Sequence, residues 1–126
     1  MKMKAATVAL ICMVAAGCRQ PLHVSTLQVG RSLNGDSTVA THTTRFKPDD
    51  TIYASVLTDR TGSSTIRARW SYNGQMVSET EKRASYKGNG VTEFHFQSAG
   101  GFPPGDYKVD IFVDGQPVVS RDFRVE

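Results

Sequence analysis

Cysteine is almost missing from this chain of 126 residues. Its two, Cys12 and Cys18, both fall within the first 18 positions, so no disulfide can pin anything from Arg19 to Glu126. A fold built there must be held by its core, and an apolar content of 39% is enough to form one at this length. Charge of one sign is missing too. Lys and Arg total 15 against 12 Asp and Glu, with no run of either, which leaves no basic footprint for nucleic acid. No segment beyond the N-terminal one shows the apolar period of a helix, and there is no heptad, long repeat or low-complexity tract. The length suits one domain and not two.

The motifs that carry chemistry are absent as well. There is no G-x-S-x-G elbow, no phosphate-cradling loop and no H-E-x-x-H. His23, His42 and His95 make no short ligand pair, and they read as surface or boundary histidines rather than zinc ligands. Asp49 and Asp50 are adjacent carboxylates on a turn, where they more often bond local amides than act as an acid/base pair or hold calcium. The expectation is a protein with no catalytic residues, no metal and no cofactor. An enzyme whose site assembles only in three dimensions stays open. It would need a pocket joining two carboxylates, or a histidine with a carboxylate.

What is present begins at the N-terminus. Met1–Lys4 is short and basic, and Ala5–Ala16 is apolar over about a dozen residues, where a bilayer span needs roughly 20. This is the build of a secretory signal. Ala15-Ala16-Gly17-Cys18 then resembles the bacterial lipoprotein signal, in which small residues precede an acceptor cysteine; Ala15 stands where the family usually has Leu. The resemblance implies cleavage after Gly17, acylation of Cys18, and stable membrane anchoring through several acyl chains. The bland alternative is an ordinary secretory signal with Cys18 left over by accident. Residues 1–17 are thus read as the signal, 18–23 as a lipidated cysteine and short tether, and 24–126 as one domain. With Lys2 and Lys4 removed, 13 basic residues face 12 acidic ones. The lipoprotein resemblance also places the protein in the cell envelope. Arg19, where an Asp tends to retain enteric lipoproteins at the inner membrane, points to the outer membrane facing the periplasm.

The domain is organised around its last stretch, Phe102–Val125. Tyr107, Val109, Ile111 and Val113 alternate with polar residues and Phe112, the period of a strand with one buried face. Asp114-Gly115 is a tight-turn dipeptide, and a second alternation carries Val119, Phe123 and Val125. Upstream, strands are expected over 24–33, 39–46, 51–58, 65–72, 75–80 and 91–97. Asn34-Gly35-Asp36, Lys47-Pro48-Asp49-Asp50 and Asn73-Gly74 supply turns, with polar loops over 59–64 and 81–90. Seven or eight short strands indicate an antiparallel β-sandwich or small barrel.

Two details favour an immunoglobulin-like sandwich. Trp70 sits on the strand before Asn73-Gly74, where such folds keep a core tryptophan. Pro104-Gly105-Asp106-Tyr107 looks like a tyrosine corner at the start of the penultimate strand. Val109 stands where the second cysteine of the disulfide-pinned subclass would be. Over residues 37–125, FKPDDTIYASV, ARWSYNGQ, PPGDYKVDIFVDG and FRV resemble small Ig-like domains of bacterial envelope lipoproteins of unassigned activity. That likeness implies a fold and a location, and no catalytic residues.

Two surfaces emerge. At one end of the sandwich the loops 59–64, 81–90 and 114–115 are expected to gather Arg60, Lys82, Arg83, Tyr86 and Lys87, a cationic cluster with an aromatic. Such a cluster suits an anionic sugar, a lipid headgroup or an acidic protein patch. The other surface is the outer face of the final hairpin's sheet, with Arg67, Arg69, Lys108, Asp110, Phe112, Asp122 and Arg124. Its opposite charges fit a cross-strand ladder. Phe112 is the odd member, either an interface anchor or, as the favoured expectation, a ring covered by the N-terminal segment. The functional expectation is a membrane-anchored, non-enzymatic binding or scaffold module with an envelope protein or glycan as partner. The alternative is an inhibitor or immunity-type lipoprotein that blocks a hydrolase with Tyr86 or Phe102.

Overall fold

The alternation along Gly62–Tyr72 is the clearest in the chain: Ile66, Ala68 and Trp70 are fully buried, while Arg67, Arg69 and Ser71 between them are not. The computed structural model describes residues 20–126. It contains eight strands: β1 (Val24–Gly30), β2 (Arg45–Phe46), β3 (Ile52–Asp59), β4 (Gly62–Tyr72), β5 (Gln75–Tyr86), β6 (Asn89–Phe96), β7 (Gly105–Val113) and β8 (Gln116–Val125). They form a three-stranded sheet in the order β1-β3-β6 and a five-stranded sheet in the order β2-β8-β7-β4-β5. All pairs are antiparallel except β2 with β8. The fold is the expected immunoglobulin-like sandwich.

The inner faces interdigitate through Leu27, Val29, Ile52, Ala54, Val56 and Phe94 from one sheet. Ile66, Trp70, Val109, Ile111, Phe123 and Val125 answer from the other. Trp70 lies at the centre, stacked on Phe96 with centroids 5.1 Å apart and edge-on to Phe123 at 6.0 Å. Phe46, carried on the short strand β2, meets Phe123 edge-on at 5.4 Å. The tyrosine corner is present: the Tyr107 hydroxyl donates to the Pro103 carbonyl at 2.7 Å. Desolvation, with a smaller contribution from the neighbouring Tyr72, holds the Tyr107 phenol above its ordinary pKa. Both hairpin dipeptides take the positive φ angles that primed turns require: 47° and 86° at Asn73-Gly74, and 50° and 86° at Asp114-Gly115.

Three expectations about local structure need correction. The Thr-rich stretch 39–46 is a strand only at Arg45–Phe46; before that it makes isolated bridges, Leu33 with Val39 and Gly30 with His42. Residues 31–44 fold back on the β1–β3 sheet. Ser55 donates to the Ser37 carbonyl at 2.6 Å, and Val39 is buried against Gly30, where any side chain would strike the Thr41 carbonyl oxygen at 2.1 Å. Within this excursion the Thr38 hydroxyl and then its amide lower the Asp36 pKa by hydrogen bonding the carboxylate. The loop placed at 59–64 is shorter than expected, since β4 already begins at Gly62. The loop placed at 81–90 is mostly strand, since β5 runs on to Tyr86.

The segment expected to be a free tether is also docked in its described part. The Gln20 carbonyl accepts the Ser63 amide at 2.9 Å, the Leu22 amide donates to the Ser64 hydroxyl at 2.8 Å, and Leu22 is buried. His23 lies 2.8 Å from the Asp59 carboxylate, and its carbonyl accepts the Asp59 amide. Gln20–His23 is therefore a strap along the start of β4. The signal expected over 1–17 and the acceptor Cys18 lie outside the described residues.

Candidate functional site

The sandwich has two ends, defined by β4. Its Gly62 end receives the strap; its Tyr72 end is ten residues away, roughly 33 Å at strand rise. The five residues expected to converge are all in the half that holds the strap, but they do not form one cluster. On β5 the side chains of Lys82 and Arg83 point to opposite faces, because adjacent strand residues alternate. Lys82 opposes buried Ile66, and Arg83 opposes Thr65 on the outer face.

Lys82 and Tyr86 are engaged by contacts to β6, Lys82 while its side chain stays 43% exposed. Strands β5 and β6 are edges of different sheets, and β6 leaves carbonyls without strand partners on its open side. The Lys82 ammonium donates to the Glu93 carbonyl, sits 3.7 Å from the Glu93 carboxylate, and covers the Phe94 ring at 5.1 Å. The Tyr86 hydroxyl lies 2.7 Å from the Val91 carbonyl and 2.9 Å from the Thr92 hydroxyl. Its ring fills the space left by Gly90, where an added Cβ would lie 2.3 Å from ring carbons. The opposite corner is closed the same way, with Arg121 donating to the Leu27 carbonyl at 2.8 Å. Tyr86→Phe keeps the ring and removes both hydroxyl bonds. It is expected to cost about 1–2 kcal/mol in urea unfolding. No change would show that the phenol does not seal this corner.

Arg60, Arg83 and Lys87 remain exposed. Arg60 is in the β3–β4 turn and Lys87 in the β5–β6 turn. Beside them a shallow groove of about 630 Å³ is lined by Pro21, Ser63, Thr65, Arg83, Ser85 and Asp114. A second groove, about 280 Å³, runs between Gln20, Gly62, Ser85 and Lys87.

The outer face of the five-stranded sheet has the expected cross-strand pairs, among them Arg124 with Asp106 at 2.6 Å. Glu79 holds Arg69 at 3.1 Å and Arg67 at 3.5 Å. These two guanidiniums stand over Phe112, 4.6 Å and 4.9 Å from its centroid. Among the described residues the cover of Phe112 comes from the neighbouring strand β4, by cation–π contact, while Gln20–His23 docks along the start of β4.

At the Tyr72 end, sequence reasoning missed a surface. A notch of about 210 Å³ opens between the sheets, lined by Tyr72, Val77, Phe96, Phe102, Pro103 and Tyr107. Met76 and Val77 beside it are among the most exposed large apolar residues, at 56% and 48%. The signal was available as an aromatic surplus at the ends of two strands, yet only pairing brings those ends together. Phe102 itself is buried, so neither it nor Tyr86 projects as a plug.

His95 and Asp50 each have a local partner. His95 meets Glu93 at 2.8 Å, and Asp50 accepts the Lys47 amide at 2.8 Å. Among the described residues no three His, Cys, Asp or Glu side chains are placed to hold one metal ion.

No family model and no curated protein matches this chain. Solved structures do. An immunoglobulin-like protein from Pseudomonas aeruginosa aligns with a TM-score of 0.57 at 12% identity, over 87% of this chain and 100% of its own. A β-glucosidase from Listeria innocua aligns at 0.48 and 10% identity, over 82% of this chain but 15% of its own. A β-D-glucoside glucohydrolase from Trichoderma reesei aligns at 0.49 and 12%, over 86% of this chain and 19% of its own. The Pseudomonas likeness shows a shared immunoglobulin-like fold.

Proposed function

We propose that this chain is a lipid-anchored, non-enzymatic binding module of the cell envelope, held to the membrane through Cys18 and presenting its far end to an envelope protein or glycan. The observation that carries the reading is the placement of the two ends. The chain enters at the Gly62 end of β4, directly after the lipoprotein-like Ala15-Ala16-Gly17-Cys18, and the aromatic notch opens at the Tyr72 end. An anchor at one end of a rigid sandwich leaves the other free to meet a partner. The free end also offers what an interface core uses, the part-exposed rings of Tyr72 and Phe96 beside the exposed Met76 and Val77.

The test follows a labelled fatty acid in bacteria expressing the full chain, with Cys18→Ala as control. The expected result is label on a membrane-bound wild type, with the control unlabelled and soluble. Photo-crosslinkers at Val77 and Arg60 are expected to capture a discrete partner from the first position only. An unlabelled, soluble wild type would refute the anchor. Capture from Arg60 and not Val77 would refute the far-end placement.

A further inference from the structure

We infer that the strap end of the sandwich is a membrane-contact face that binds anionic phospholipid headgroups and stands the domain upright on the bilayer. This rests on the lipid-anchored reading above. From Gln20 onward the chain is fixed to the body of the domain, through the Ser63 amide on the Gln20 carbonyl and the buried Leu22. Only Arg19 separates Gln20 from Cys18, so the acylated residue lies at most about 7 Å from the fold. The strap end is then held within roughly one Debye length of the headgroup layer, where its charges act on lipid with little screening.

Those charges have the right sign. Arg60, Arg83 and Lys87 are exposed there, and none forms an ion pair among the described residues. Of the nearby carboxylates, Asp59 lies against the His23 ring at 2.8 Å and Asp114 accepts the Thr65 amide at 2.9 Å, while Glu81, on the same face of β5 as Arg83, stands further along the strand opposite Arg67. The guanidiniums of Arg67, Arg69 and Arg124, further along the outer sheet face, are by contrast spent on Glu79, Phe112 and Asp106. The groove beside Arg83 is lined by the hydroxyl of Thr65 and by those of Ser63 and Ser85, which bond each other at 2.9 Å, with Asp114 at its edge. A guanidinium flanked by hydroxyl donors suits phosphate oxygens. The surface sequence reasoning left open to several anions is, on this geometry, the one facing the bilayer.

The test uses the mature chain from Cys18, whose single thiol is coupled to a maleimide lipid in vesicles. This imposes the tether chemically, so the outcome does not depend on whether cells lipidate Cys18; the fatty-acid experiment decides that separately. Amine acetylation is read by mass spectrometry at Lys87, with Lys47 as internal reference. Lys47 lies near the opposite end, where the Pro48 carbonyl accepts the Phe102 amide. In vesicles with about one-third phosphatidylglycerol, Lys87 is expected to react several-fold more slowly relative to Lys47 than in pure phosphatidylcholine. Added salt and the pair Arg60→Gln with Arg83→Gln should each abolish the difference. Equal Lys87 to Lys47 ratios in the two vesicle types would overturn the inference. So would a difference that survives both the salt and the double variant.

Discussion

Trp70→Ala is expected to cost about 3–5 kcal/mol, the usual range for removing a fully buried aromatic. Trp70 has no exposed surface and touches both sheets, stacking on Phe96 and meeting Phe123 edge-on. Alanine leaves a cavity where Trp70 of one sheet stacks on Phe96 of the other. No disulfide limits the loss, because both cysteines precede residue 20. At about 4–8 °C per kcal/mol for a domain of this size, thermal unfolding should shift down by tens of degrees. Calorimetry or urea titration checks it. A loss below about 1 kcal/mol would mean that the sheets are not joined through this residue.

Gly62→Ala is expected to lift the strap. A Cβ there would lie 2.6 Å from the Gln20 carbonyl oxygen and 2.9 Å from that of Pro21. Both are backbone atoms, and no rotamer change can clear them, so the strap itself must move. Leu22 then loses its burial, about 1.5–3 kcal/mol, and its amide loses the Ser64 hydroxyl, about 1 kcal/mol. The sum is roughly 2–4 kcal/mol, with faster hydrogen exchange at the Leu22 amide. Gly35→Ala is the matched control, since its Cβ would meet nothing within 4 Å, and it should leave stability nearly unchanged. If the Leu22 amide stays protected in Gly62→Ala, the strap is held by something other than β4. A lifted strap adds four residues to the tether, up to about 14 Å. On the lipid-anchored reading this would also weaken the headgroup contact.

Much of the fold was legible because its signals are local. Asn73-Gly74 and Asp114-Gly115 accept positive φ at little cost, and that property belongs to the dipeptides. The alternation of β4 and β7 records a buried face directly. The end of β5 was not legible. EKRASY carries only Ala84 and Tyr86 as an inward face among charged residues, too weak an alternation to mark a strand, and its extended backbone is held by pairing with Gly62–Arg67. Residues 39–44 misled in the opposite sense. Their threonines favour strand, but the structure uses them to cover the outer side of β1 at Gly30.

The all-β sandwich, its two tight hairpins, its core tryptophan and its tyrosine corner are written in the order of residues along the chain. Each depends on residues within a few positions of one another. Tertiary structure alone decided what stands together at each end. It bent Lys82 and Tyr86 across to β6, sent Arg83 to the opposite face, put two guanidiniums over Phe112, and folded Gln20–His23 onto β4. It also gathered Tyr72, Phe96, Phe102 and Tyr107 into one notch. Those outcomes depend on strand order and register across tens of residues. Register is set by the packing of the whole core, because a slip of one position would turn every side chain of a strand to the other face.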